Sequence, residues 1–245
     1  MKITWIGQAG LLFEAENICV MIDPYLSDSV KKVNPANYRR VPVEERFLEI
    51  KPDVLILTHN HLDHTDPETL EVLLKKHSGI CVLASQNAWR EVRKYGGNHN
   101  YISFNRGTVW TMQGRTDSQT TDEKECQISF EAVYAEHSDD HAIGVVIRYQ
   151  GKVYYITGDT LYNKKVVADA PKHADMVFLP INGVGNNMNM IDAARFSEEI
   201  QAKQTVPIHF GMFDELNPKE FLCATRVIPT MYKETNVWKG EKWKD

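Results

Sequence analysis

Apolar residues in this chain come in short runs, each closed by Gly, Pro, Asn or Asp. Ile3-Thr4-Trp5-Ile6 stops at Gly7-Gln8-Ala9-Gly10, Leu11 to Ala15 resumes, and Ile18 to Ile22 ends at Asp23-Pro24. Such runs predict two or three short strands. Val54 to Leu57 and Ile80 to Ala84 predict buried strands, each followed by a helical stretch, 68–77 and 86–95. Thr65-Asp66-Pro67-Glu68 is the start signal of the first helix, and Gly96-Gly97 stops the second. Strand, loop, helix, strand, helix is an α/β rhythm. The rhythm then changes. Residues 101–125 are irregular, with a strand at Val109 to Met112 and a polar turn or loop at Thr116 to Lys124. Cys126 to Tyr134, Ala142 to Tyr149 and Lys152 to Thr157 follow one another directly, the last two as a hairpin through Gln150-Gly151. A helix-like stretch 162–169, a strand Asp175 to Pro180, an amphipathic helix 191–202, a short strand from Thr205 ending in His209, and a short helix from Pro218 complete the pattern. Direct succession of strands beside strand–helix pairs predicts mixed sheets.

Composition narrows the class. With 245 residues and 42% hydrophobic content the chain can build a substantial core. No linker-like segment demands a second domain, so residues 1–245 are read as one. The net charge of -5 gives no electrostatic footprint for nucleic acid or an acidic membrane. No apolar run is long enough to span a bilayer, and the N-terminus enters strand-like alternation without a signal-peptide core. The four cysteines are scattered, with no C-x-x-C pair, which fits reduced thiols. A cytoplasmic protein is expected.

The densest chemistry follows the Val54–Leu57 run. His59-Asn60-His61-Leu62-Asp63-His64 packs three imidazoles and a carboxylate into H-x-H-x-D-H. It lies on a strand-to-helix loop, where sites of α/β sheets usually sit. On extended backbone His59 and His61 point to one side and can share a metal. Asp63 and His64 fall where the chain bends into the helix and can serve a second. Imidazole and carboxylate without thiolate suit zinc, and also iron, manganese, nickel or cobalt.

Further acids and imidazoles close buried strands elsewhere. Asp23 reads as a turn-former before Pro24 or as an acceptor that orients the metal loop. His137 or His141 could be a third ligand beside His59 and His61, and His137 is preferred because it caps the incoming strand. Asp159, behind Thr157-Gly158, is a helix cap or, having two oxygens, a carboxylate between two metals. His209 closes the run from Thr205. Residues 25–50 form a polar, proline-broken, basic loop in which Arg39 and Arg40 could clamp an anionic group, although surface arginine is the ordinary case. Asn182 opens a Gly/Asn loop that could line a pocket.

Taken in order, Asp23, His59-x-His61-x-Asp63-His64, His137, Asp159 and His209 resemble the metallo-β-lactamase superfamily over essentially the whole chain. Trp5 to Gly10, Asp23 to Ser29 and Tyr155 to Thr160 resemble its L-ascorbate-6-phosphate lactonase-like branch. The resemblance implies an αββα sandwich, two mixed β-sheets face to face with helices on the outer faces. It implies that His59, His61 and His137 hold one metal and Asp63, His64 and His209 another, with Asp159 bridging and Asp23 as buried support. Two divalent metal ions are expected, zinc first and manganese or iron as alternatives, with a bridging hydroxide as nucleophile. Asp63 and His141 are the candidate catalytic residues. The expected activity is hydrolysis of a small anionic ester or lactone, such as a phosphorylated sugar lactone, with Arg39, Arg40 and Asn182 as substrate contacts. A phosphodiesterase acting on a nucleotide or phospholipid head group is the alternative, and a non-catalytic metal-binding protein is a third reading. The expected partner is a small molecule, with no nucleic-acid polymer and no membrane span. A homo-oligomer is compatible with everything in the sequence.

Overall fold

The structure, a computed structural model, describes residues 1–15, 18–113 and 127–236. The first sheet contains β1 (Lys2–Gly7), β2 (Gly10–Ala15), β3 (Ile18–Ile22), β4 (Val54–Leu57), β5 (Cys81–Ala84) and β6 (Asn100–Ser103). The second contains β7 (Val109–Gln113), β8 (Gln127–Tyr134), β9 (Ile143–Tyr149), β10 (Lys152–Ile156), β11 (Met176–Pro180) and β12 (Thr205–Ile208). A short β13 (Glu234–Asn236) returns to the first sheet beside β1. Both sheets are mixed. In the first, β1 to β3 pair antiparallel and β3 to β6 parallel. In the second, β7 to β10 pair antiparallel and β10 to β12 parallel.

Strand alternation builds the layers. Val54 and Ile56 of β4 point into the core between the sheets, while Leu55 and Leu57 point outward. The outward face is covered by Leu70, Leu73 and Leu74 of α2 (Pro67–Lys76) and by Ala88 and Val92 of α3 (Gln86–Val92). Across the core, Phe13 meets Phe178 edge-on at 5.7 Å between ring centres. Val166 of α4 (Lys164–Asp169) and Ala193, Phe196 and Ile200 of α5 (Met190–Ile200) join the core from the second sheet's side. The result is the αββα sandwich with helices on the outer faces.

Element ends follow capping chemistry. Asp66 accepts from the backbone N–H groups of Glu68 and Thr69 and starts α2 one residue early, at Pro67. Asn163 caps α4, so the helix expected from residue 162 begins at Lys164. Gln201 turns left-handed, at φ 56°, and stops α5 at Ile200. β6 and β13 were not foreseen. Both are edge strands of polar sequence, Asn-Tyr-Ile-Ser and Glu-Thr-Asn, whose strand character comes from one neighbour's hydrogen bonds rather than an apolar run. The loop of residues 25–50 contains a short helix α1 (Ser29–Val33) and a 3-10 turn (Glu45–Glu49). Thr116 to Lys124, Cys126, Trp238 and Trp243 lie outside the described residues. Among the described residues, no helix is long and apolar enough to cross a membrane.

Candidate metal centre

The pairing directions decide where the site forms. β1, β3 and β4 run one way in the first sheet, and β8, β10, β11 and β12 run one way in the second. Their C-terminal ends deliver Gln8, Asp23 and His59–His64 from the first sheet. The second delivers His137, Asp159, Asn182 and His209. Backbone bonds stitch the two groups together: Ile143 N–H donates to Thr58 O at 3.1 Å and His209 N–H to Gln8 O at 2.9 Å. Four non-glycine residues around this edge are left-handed, Gln8, Asp23, Asn186 and His209, at φ 50°, 42°, 64° and 58°. Such strain concentrates where side-chain placement outweighs backbone comfort. Gly158 is there for space as well as for its φ of +61°, since a Cβ would sit 2.6 Å from Ile143 O.

Two triads converge, His59 with His61 and His137, and Asp63 with His64 and His209. In the first, the outer nitrogens are held by oxygen. The Thr58 hydroxyl has one proton and gives it to Asp23 Oδ2 at 2.5 Å, so at 3.1 Å it accepts from His59 Nδ1–H. His137 Nδ1–H donates to Asn186 O at 3.2 Å, and Ser138 Oγ stands 3.2 Å from His61 Nε2. The inner nitrogens of His61 and His137 then face each other at 3.1 Å. His59 Nε2 is buried with no hydrogen-bond partner. Buried polar atoms are normally paired, and a lone pair left open beside two others is what a cation needs.

In the second triad, His64 Nδ1–H donates to Asp23 Oδ2 at 2.8 Å, which turns Nε2 inward. Asp159 lies between the triads, 3.3 Å from His64 Nε2 and 3.2 Å from His209 Nε2, and 4.0 Å and 3.9 Å from the inner nitrogens of His59 and His137. Asn187 Nδ2–H donates to Asp159 at 2.9 Å. The Asn182 amide is 3.0 Å from His209 Nδ1, with its Oδ1 buried and unpartnered. Turned end for end, its carbonyl accepts from Nδ1–H and leaves His209 Nε2 free as a ligand.

Asp23 appears in a third grouping, with His59 and His64. Its carboxylate is fully buried and already accepts from Thr58 N–H, the Thr58 hydroxyl and His64 Nδ1–H. That makes it a support beneath one imidazole of each triad, the arrangement that fixes ligand tautomers in metal sites.

Electrostatics agree. Burial, then the neighbouring His64, keeps His59 well below the usual imidazole pKa, so its lone pair stays available. Burial opposes charge on His64 and His209 too, but Asp159 and Asp63 outweigh it, raising His64 well above the ordinary value and His209 to about 10. The same imidazoles overcome burial at Asp159 and Asp63 and hold both carboxyls below their usual range. This end of the site is a well for positive charge, which protons or a divalent metal can fill. The donor set fits divalent metals.

The site opens into a cavity of about 380 Å³ lined by His61, Asp63, Asp159 and His209, the amides Gln8, Asn37, Asn182 and Asn187, and Val30, Val184, Phe213 and Asp214. Three of the candidate catalytic and substrate-binding residues do not line it. His141 is 37% exposed at its side chain and 3.9 Å from Asp140. Its turn folds Asp139 inward instead, where Asp139 accepts from Asn60 N–H and His141 N–H. His141 does not line the cavity. Arg39 donates to Tyr25 O, Val41 O and the Tyr232 hydroxyl at 2.7, 3.1 and 2.8 Å, bracing its loop. Arg40 donates to Phe213 O, stacks on Tyr38 and lies 3.8 Å from Glu215. Neither lines the cavity. Gln8, Thr58, Ser138, Asp139 and Asn187 belong to the site's surroundings and were not singled out from the sequence. For Gln8 a signal existed, since it follows an apolar strand as His59 and His137 do.

The family model described as Beta-lactamase superfamily domain matches residues 19–210. The chain belongs to the metallo-β-lactamase superfamily. Within it, the chain is 27% identical over 235 residues to UPF0173 metal-dependent hydrolase YtkL of Bacillus subtilis (strain 168), covering 90% of this chain and 91% of that protein. It is 29% identical over 241 residues to UPF0173 metal-dependent hydrolase SAB1566c of Staphylococcus aureus, covering 93% and 94%. The superfamily fold is shared with Igni18, a metallo hydrolase of the archaeon Ignicoccus hospitalis, at a TM-score of 0.71, 20% identity and coverage of 96% and 97%.

Proposed function

We propose that this protein is a metal-dependent hydrolase that opens a small ester or lactone at a dinuclear centre, with zinc as the first metal to test. The orphaned lone pair of His59 Nε2 carries the reading, because it sits in a cluster whose other imidazoles are held with nitrogens facing inward. His59, His61 and His137 would hold one cation and Asp63, His64 and His209 the other, and Asp159, lying between the two triads, would serve both. When bound, such cations supply Lewis acidity and a water acidic enough to attack near neutral pH. Asp63, at the cavity wall, would hold the proton released by an attacking water and return it to the leaving oxygen. The amide-rich wall can accept and donate to hydroxyl and carbonyl groups, while Val30, Val184 and Phe213 shelter an apolar part. With Asp214 in the wall and both arginines engaged elsewhere, the favoured substrate shifts from an anionic ester to one uncharged away from its reacting bond.

The test is turnover by metal-quantified protein on a panel of lactones, esters and phosphodiesters. Ester or lactone hydrolysis that disappears on chelation, and in Asp159→Ala together with bound metal, is the expected result. Turnover of phosphodiesters alone would replace the proposal with the phosphodiesterase reading. Full metal content with no turnover would replace it with a binding protein.

A further inference from the structure

We infer that Gln8 is a positioning residue of the second triad, its side-chain amide and backbone carbonyl together setting affinity for the second cation. The inference rests on the dinuclear reading above. Gln8 follows β1, where the pairing with β2 slips between Trp5 and Gly7 and throws the residue toward the seam of the two sheets. Its amide nitrogen donates to Asp63 Oδ2 at 2.7 Å and lies 3.1 Å from His209 Nε2. Asp63's other close neighbours, His209 at 3.3 Å and His64 at 3.9 Å, are themselves candidate ligands. Among the described residues, Gln8 is therefore the contact from outside the ligand set that fixes this carboxylate. Its backbone carbonyl accepts from His209 N–H at 2.9 Å and from Trp5 Nε1–H at 2.8 Å, so one residue grips two members of the triad. The first triad is held instead by Thr58, Ser138 and Asn186.

Backbone strain gives independent support. Gln8 is left-handed at φ 50°, a conformation glycine adopts at no steric cost. Glycine at this position would be easier on the chain, and what it would remove is the amide. Removing a hydrogen-bond partner of a metal ligand typically costs about 10–100-fold in metal affinity.

The experiment is stepwise cobalt(II) titration of metal-stripped wild type and Gln8→Gly, followed by visible absorption and metal analysis, with thermal melts of each. In Gln8→Gly the second equivalent should weaken by about 10–100-fold, while the first stays within about threefold and the stripped protein melts no lower than wild type. Excess metal should restore kcat in Gln8→Gly, since a residue acting through the cation is bypassed once the cation is bound. Equal weakening of both equivalents, or an unchanged second equivalent, overturns the inference. A wild type that takes up one metal removes the dinuclear reading itself, whatever the variant does.

Discussion

Asp23→Asn tests the support beneath both triads. Asp23 is fully buried and accepts three hydrogen bonds, from Thr58 N–H at 2.8 Å, the Thr58 hydroxyl at 2.5 Å and His64 Nδ1–H at 2.8 Å. Asparagine keeps the shape and tolerates the left-handed backbone at φ 42°. It replaces one acceptor by an NH₂ group and removes the charge. With the carbonyl at the Oδ2 position, the NH₂ points at Thr58 N–H and a buried donor loses its partner. With the carbonyl at Oδ1, the NH₂ faces His64, which must shed its Nδ1 proton, put one on Nε2 and lose the lone pair that would bind metal. Each arrangement costs about 1–3 kcal/mol for the unsatisfied group, and weakening the charge-assisted bonds adds about 1 kcal/mol. Because the Thr58 hydroxyl passes the effect to His59, both triads should weaken, by about 10–100-fold in metal affinity. Competition with a chromophoric chelator measures affinity, and urea unfolding of stripped protein separates the stability part. Metal affinity within threefold of wild type, with an unchanged urea midpoint, would refute the role given to Asp23.

Three more outcomes are expected. Gly158→Ala places a Cβ 2.6 Å from Ile143 O at φ +61°; strain and overpacking together should cost about 2–5 kcal/mol by urea unfolding, and a loss under about 1 kcal/mol would show that the seam yields. In stripped protein, the folded-state pKa of His209 lies above its ordinary 6.5, at about 10. Its proton therefore stabilises the fold fully below 6.5, and that contribution is lost as pH rises through 10. Urea midpoints of stripped protein should fall across that window while metal-loaded protein stays flat, and parallel curves would contradict the assignment. Arg39→Leu, which loses three hydrogen bonds and leaves Tyr25 O without its donor, should cost about 2–3 kcal/mol of stability; a raised KM with an unchanged melting temperature would return Arg39 to substrate binding.

How much was legible depends on the range of each interaction. His59 to His64 could be read because the grouping is local. His137, Asp159 and His209 were legible because each ends an apolar run, and parallel strand ends gather at one edge. Asp139 was not, because its partner Asn60 lies 79 positions away and an acid in a turn looks ordinary. Gln8 was passed over because a neutral amide carries no chemistry of its own until Asp63 stands beside it. The setting of Arg39 was hidden for the opposite reason: a basic loop suits a clamp or a surface charge alike, and the carbonyls of Tyr25 and Val41 that hold the guanidinium are brought up by the folded loop. β6 and β13 lack an apolar signature because edge strands need only one bonded neighbour.

The seam between the sheets has a consequence for how the protein matures. Four of the seven candidate ligands, His59, His61, Asp63 and His64, hang from the first sheet and three, His137, Asp159 and His209, from the second, and His209 comes late in the chain. During synthesis, a nascent chain shorter than this can present His59, His61 and His64 but has no second triad. Loading of the second triad would then be a late event of assembly, and because each triad draws on both sheets its free energy would act on sheet docking rather than on either sheet alone. Chelation should accordingly hasten the parting of the sheets, and limited proteolysis of the opened seam would time it.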